Sequence, residues 1–402
     1  MGIIFDVGII GVGTAGAFSA YKIAQNYTNI KCVIFDTGRA PGKRRFQMSG
    51  FLGLLPNSDG KLYLNDIDSL KKICKKKATS SAYSWFQNNT SSTLNNDVIE
   101  DTQPYRSTIK KIKNNDFTLT TNDHIQLIPK EIHSLSKHIA AVINANQNIT
   151  QNFDDEIEDI QYNKKQFIIT SSNGTQTVCK KLILGCGRSG WRWSNRIFDD
   201  FGLTYQDTPI KFGIRAELPA SSIKEYNKSN CMISNDDLEI GPLSWMGQIV
   251  PEDHFDTVIS SFRSNETRWA SDKVSFNIFG NQYVENNVEY LDRMAQLTFI
   301  LTNERVLKEK INLLLTKKSK ISILPEYDWL VDAILKIEKF MPEIVNGSFY
   351  TPTLLPIVPK IKLNPKLQTE HKDLICVGET TGYSGLLFAI LSGIIAADTV
   401  SL

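Results

Sequence analysis

The first clear pattern is an apolar run over residues 3–10 that stops at Gly11-Val12-Gly13-Thr14-Ala15-Gly16. A short apolar run bounded by turn residues predicts a buried strand. Beyond the glycines the period changes. Ala17, Phe18, Ala20, Tyr21, Ile23 and Ala24 recur at helical spacing, which predicts an amphipathic helix. Lys31-Cys32-Val33-Ile34-Phe35 then reads as a second strand, closed by Asp36. Strand, glycine turn, helix, strand and acid in this order predict a crossover unit that binds a dinucleotide. Each glycine has its own reason: Gly11 for a tight turn, Gly13 for close approach of a pyrophosphate, Gly16 for helix-on-sheet packing. The turn as a whole, with Val12, Thr14 and Ala15, offers helix N-terminal amides to phosphate. Asp36 is placed to accept hydrogen bonds from a ribose, with Thr37 and Gly38 beside it.

Further along, the patterns alternate between helical and strand periods. Residues 37–45 form a basic turn-rich loop that suits either phosphate or solvent. Residues 49–62 are apolar and dotted with glycine, as suits backbone lying against a flat ring. Residues 70–86 read as one helix with Lys71, Lys72, Lys75, Lys76 and Lys77 on one side, a solvated face rather than a polyanion site. Residues 104–113 predict a helix. Residues 124–128, 136–145 and 149–153 predict strand, helix and strand. His124, His133 and His138 lie near one another, but nothing pairs them with carboxylates at metal spacing, and a structural role fits them better. Residues 156–162, 166–171 and 175–184 predict a meander, with Asn173-Gly174 as a hairpin turn.

A second glycine motif follows, Gly185-Cys186-Gly187-Arg188-Ser189-Gly190. Only a short helical patch comes after it, with no strand ending in an acid at the right distance. It therefore predicts a glycine loop returning to the first dinucleotide, not a second nucleotide site. Arg188 there could meet phosphate or a ring carbonyl, or cap the helix. The middle block is strand-rich, with strands over 211–217, 257–262 and 274–279 and helices over 289–315 and 327–340; Pro352, Pro356 and Pro359 mark its exit. The last unit is a strand over 373–377 that delivers Gly378 and Glu379. Residues 380–385 then lead into an apolar helix over 386–400; an acid beside glycines that open a helix, here Glu379 with Gly385 before Leu386, can hold polyol hydroxyls and place backbone amides at an acceptor.

Composition narrows this little. The 402 residues carry a formal net charge of +2, with 41% hydrophobic and 22% charged residues, so no global field points to nucleic acid or an anionic membrane. Six scattered cysteines without a CxxC pair favour a reducing cytosol, free thiols and no metal site. The apolar run near the C-terminus is too short to span a bilayer.

Taken together, the opening glycine turn, Ser58-Asp59-Gly60-Lys61-Leu62, Gly187-Arg188-Ser189-Gly190-Trp191, the strand over 209–219 and residues 378–393 resemble the uncharacterised FAD-dependent dehydrogenase family, within the two-dinucleotide-binding-type flavoproteins. The resemblance implies FAD as cofactor. Its ADP half would be held by Gly11, Gly13, Gly16, Asp36 and the backbone of Ile157, and Gly185, Cys186 and Gly187 would lie near it. Gly378 and Glu379 would hold the ribityl chain, with the Leu386 helix at the pyrimidine end. Asp36 stands where Glu is commoner, Glu379 where Asp is usual, and residues 45–48 replace a cysteine-bearing approach.

The expected fold is α/β. A discontinuous, glutathione-reductase-like Rossmann domain (1–207 and 356–402, with a helical insertion at about 62–115) would carry an inserted mixed α/β substrate domain (208–355). The expected activity is electron-pair or hydride exchange between flavin and an organic small molecule, with an unknown electron acceptor. Lys61, Arg188 and Tyr383 are the candidate groups near the ring. Two rivals remain: an FAD enzyme acting on an amine or a nucleic-acid base, and a non-catalytic flavin-binding protein.

Overall fold

The computed structural model describes residues 3–43, 49–206, 210–254, 257–263, 271–282, 287–302, 306–355 and 359–401. Arg44 and Arg45 of the basic loop, the replaced approach at 45–48, and Pro209 and Pro356 lie outside the described residues. The chain divides into two compact units. One comprises Met1–Asp97, Ile125–Thr208 and Val358–Leu402; the other Val98–His124 and Pro209–Ile357.

The first unit is built on a sheet with a parallel centre. The strands Ile149–Phe153, Cys32–Asp36, Ile4–Ile10, Gln176–Leu184 and Leu374–Cys376 lie side by side in that order, all parallel. The far edge of Gln176–Leu184 is shared. Its first half pairs antiparallel with Gln166–Ser171, which in turn pairs with Ile157–Asn163, and its last half pairs with Leu374–Cys376. Cys32–Asp36 is buried throughout, as a strand covered on both faces of a parallel sheet requires. Ile10 aligns with Phe35 and with Leu184, and Leu184 with Cys376. The carboxyl ends of the central strands therefore stop at one level, where ligands bind in open α/β sheets. This is the Rossmann-type α/β fold that the sequence predicts.

Helix Thr14–Asn26 follows the opening strand and packs on helix Leu386–Val400. The contact is close: Ser19 Oγ donates to the Gly393 carbonyl at 2.9 Å, and a Cβ on Gly393 would stand 2.2 Å from the Ala15 carbonyl oxygen. Twelve of the fifteen residues of Leu386–Val400 are buried, which explains an apolar run with no polar face. Among the described residues no helix is long and apolar enough to cross a membrane.

The single helix expected over 70–86 is two, Asn65–Lys71 and Lys76–Thr90. Breaking between them lets Leu70 and Cys74 bury before the second helix sets Thr79, Ala82 and Phe86 inward, while all five lysines stay exposed.

In the second unit an antiparallel sheet runs Leu307–Lys310, Ser348–Leu355, Ile210–Pro219, Lys273–Gln282, Leu238–Ile240, Met232–Ser234 and Thr118–Thr120. Residues 212–216 and Leu218 of Ile210–Pro219 are buried, Gly213 and Arg215 included, so this central strand is covered on both faces. Strand Thr257–Arg263 pairs with Gln248–His254. The helix expected over 289–315 is shorter, Asn287–Thr302. Leu307–Lys310 beyond it is a strand, paired with Ser348–Leu355, and Ile311–Leu315 a separate helical turn. Residues 303–305 lie outside the described residues. Pairing with a strand some forty residues on overrode the helical period. Helices Arg106–Lys113 and Asp328–Glu338 form near their expected places.

Candidate functional site

The two glycine turns of the first unit meet where adjacent strands end. Gly185 N–H donates to the Ile10 carbonyl at 2.8 Å, and Gly11 N–H to that of Phe35 at 2.9 Å. Gly11 has a φ of +86°, and a Cβ on it would stand 2.6 Å from the Gly185 carbonyl oxygen. Both its conformation and its neighbour demand glycine. A Cβ on Gly16 would lie 1.9 Å from the Gly11 carbonyl oxygen, so that glycine serves helix packing. Gly13 is different. Its φ of −62° suits any residue, and the nearest atom to an added Cβ is 3.8 Å away. Nothing in the described protein requires a bare backbone at Gly13, and a side chain there would project into open space.

Asp36 clamps this turn. Its Oδ2 accepts Val12 N–H at 2.7 Å and its Oδ1 accepts Gly38 N–H at 2.7 Å, in a buried setting. Short bonds to an ionised acceptor are the strong kind. The chain leading to Ile157 is tied to the same strand end: Asp155 N–H donates to the Asp36 carbonyl at 3.1 Å and Asp154 N–H to that of Gly38 at 3.0 Å.

In front of these turns lies a cavity of about 320 Å³, lined by Gly11, Gly13, Asp36, Thr37, Ile157, Gly185 and Cys186 among others. A second cavity of about 170 Å³ is lined by Thr14, Ala15, Gly187, Arg188, Gly378, Glu379, Gly385 and Leu386. The two share Gly13, Gly185, Cys186 and Ser189, so together they form one elongated groove along the strand ends. Both lie wholly within the first unit.

At the second end, Arg188 donates to Glu379 Oε1 at 2.5 Å, with both side chains mostly buried. Thr380 Oγ1 accepts Gly187 N–H at 3.1 Å, which joins the second glycine turn to the turn after Cys376. Gly378 N–H donates to Ser392 Oγ at 2.9 Å. Asp66, on helix Asn65–Lys71, accepts the N–H groups of Leu387 at 3.1 Å and Phe388 at 3.3 Å. It caps the terminal helix from a distant part of the chain. Burial pushes its carboxyl up to about 7, and the charge of Glu379 adds to this against the pull of the two amides.

Five of the expected residues do not line the groove. The Val12 amide is held by Asp36, Gly16 packs against Gly11, and Gly38 lies against Gly50. Buried Lys61 faces Asp59 at 3.6 Å. The Tyr383 ring stacks on Phe388, with Lys360 Nζ 5.1 Å from its centre. Sequence reasoning missed Asp155, Glu156 and Trp193 on the first cavity, while Ser189 and Leu54 fall in the two glycine-dotted loops, 185–190 and 49–62, that it read as lying against the cofactor. Trp193 had a signal, its place one turn into the helix after the second glycine motif, and its indole N–H is buried with no hydrogen-bond partner among the described residues. Asp66 had no local signal.

His138 Nε2 lies 2.9 Å from the Tyr21 hydroxyl, His124 is buried and His133 is exposed. Among the described residues no group of three or more His, Cys, Asp or Glu could hold a metal ion. All six cysteines are free thiols.

No family model matches the chain, and no curated protein matches it. Among solved structures, glycine oxidase from Geobacillus kaustophilus is 11% identical with a TM-score of 0.46, the match covering 99% of this chain and 94% of that one. A Pseudomonas aeruginosa protein, pqsL, described as a probable FAD-dependent monooxygenase, is 12% identical with a TM-score of 0.45, over 100% of this chain and 86% of that one. A flavoprotein/dehydrogenase from Cytophaga hutchinsonii is 12% identical with a TM-score of 0.42, over 99% and 78%. With scores this low, the reading of the groove rests on its own geometry.

Proposed function

We propose that the groove of the first unit binds FAD and that the protein is an FAD-dependent oxidoreductase acting on an organic small molecule. The observation that carries this is Gly13. Its backbone geometry and its neighbours would accept a side chain, yet it stands bare at the middle of the groove, beside the N-terminus of helix Thr14–Asn26. That is a cradle a Cβ would fill, at the place where a pyrophosphate meets helix amides. Trp193 lines the first cavity, and its buried indole N–H has no hydrogen-bond partner among the described residues.

On this reading Asp36, Thr37 and Ile157 face the adenosine half. Gly11, Gly13, Thr14, Ala15, Gly185 and Gly187 face the phosphates, and Gly378 and Glu379 the ribityl chain. Asp36 accepts the N–H groups of Val12 and Gly38 and lines the first cavity, where this reading puts the ribose. When bound, the flavin ring supplies the electron-pair chemistry. The chain orients it through backbone amides and fixes Glu379 through Arg188. The substrate and the electron acceptor follow from neither the groove nor the sequence.

The test is the absorption spectrum of protein purified undenatured, then titration of the colourless fraction with FAD, FMN and ADP. Uptake of FAD, competition by ADP and rejection of FMN support the reading. A protein that binds none of the three overturns it.

A further inference from the structure

The terminal helix begins with its end amides already taken. Leu387 and Phe388 are its second and third residues, positions whose N–H groups find no acceptor within the helix. The carboxylate of Asp66 accepts both. The backbone is shaped around it: Gly385 has a φ of +126°, and a Cβ there would stand 2.3 Å from the Asp66 carboxyl atoms. Gly385 and Leu386 also line the second cavity beside Gly378 and Glu379. The positive pole of this helix therefore reaches the groove already compensated by a fixed acid.

We propose that Asp66 sets the charge met by the pyrimidine edge of the flavin at this end of the groove, and so holds down the electron affinity of the bound ring. The inference rests on the FAD reading above. Reduction places negative charge on that edge, and helix amides left free would stabilise it. A carboxylate on those amides cancels the benefit. The cations close by face carboxylates: Arg188 meets Glu379 at 2.5 Å and Lys61 meets Asp59 at 3.6 Å. The ionisable groups around Asp66 are Glu379, with Arg188 against it, Asp68 and Lys71 on its own helix, and Asp59 and Lys61 on the chain before it. Asp66 itself changes charge near neutrality.

The experiment compares wild type and Asp66→Asn, each loaded with FAD and reduced beside a reference dye at about pH 8.5 and about pH 5.5. Asparagine keeps a carbonyl for the two amides and removes the charge. At the higher pH the variant should show at least a tenfold rise in the reduced-to-oxidised ratio at fixed potential, about 30 mV for a two-electron couple. At the lower pH the difference should shrink severalfold. Asp66→Ser, which also removes the charge, is measured in the same way should the asparagine variant fail to fold. Equal potentials at the higher pH overturn the inference. A wild type that takes up no FAD overturns the FAD reading and this inference with it; uptake with equal potentials overturns this inference alone.

Discussion

Asp36 Oδ2 and the backbone N–H of Val12 lie 2.7 Å apart, across 24 residues of chain. The other oxygen of the same carboxylate takes Gly38 N–H at the same distance. The acid that closes the second strand thus has a task before any ligand arrives: it fixes the shape of the glycine turn in front of the helix.

Asp36→Asn should then destabilise the unliganded protein. Asparagine offers one acceptor oxygen, and its amide nitrogen would face an N–H donor. Losing one charge-assisted bond and leaving a buried N–H unpaired costs about 2–3 kcal/mol. Urea unfolding without nucleotide measures this. An unchanged midpoint would mean that the clamp contributes nothing to the fold.

The glycines separate packing from binding. Gly13→Ala places its Cβ in open space at a φ of −62°, so it should cost no more than about 1 kcal/mol, the preference for Gly over Ala at a helix N-cap, while affinity for ADP falls at least tenfold. Gly16→Ala drives a Cβ to 1.9 Å from the Gly11 carbonyl oxygen, so it should unfold the unit or cost several kcal/mol. Thermal melts with and without ADP distinguish the two. A Gly13→Ala protein that binds ADP as the wild type does would remove the pyrophosphate from this turn.

The thiols should be nearly silent in the native protein. Cys32, Cys74, Cys179, Cys231 and Cys376 are buried. Cys186, which lines both cavities, is only partly so, yet burial pushes its thiol up to about 12. The thiolate is the reactive form, so at about pH 8 a disulfide reagent should modify Cys186 slowly and the others hardly at all. Six thiols should appear on unfolding. Rapid native labelling of more than one thiol would contradict the described packing.

What the sequence made legible was local. The strand, glycine turn, helix and acid over 3–36 lie within one crossover, and the physical demand on each residue is met by near neighbours: Gly16 by Gly11, and Asp36 by Val12 and Gly38. The meander and the terminal helix could be read for the same reason. What stayed hidden depended on distant partners. Asp66 is an ordinary first-turn acid in sequence, and only folding brings it to Leu387 and Phe388, more than three hundred residues on. Lys61, an attractive cation beside a glycine loop, is instead buried against Asp59. The short strand Thr118–Thr120 carries no strong period, and it exists because Met232–Ser234 pairs with it.

Asp66 also leaves a mark on stability that needs no cofactor. Its carboxyl is raised from an ordinary 3.8 to about 7, chiefly by burial. Below about pH 4 it is protonated whether the chain is folded or not, and the favourable contribution is fully present. Between about pH 4 and 7 the unfolded chain releases this proton while the folded one keeps it, so rising pH favours unfolding. Above 7 the contribution is gone, and the total change is on the order of 4 kcal/mol. Asp66→Asn keeps an acceptor for the helix amides and has no proton to lose. The stability of the variant relative to wild type should therefore climb across this window and level off above neutrality. Denaturant midpoints at about pH 4.5, 6 and 8 on cofactor-free protein measure it. Parallel curves would mean that Asp66 titrates as an ordinary surface acid, and that the end of the terminal helix is open to water.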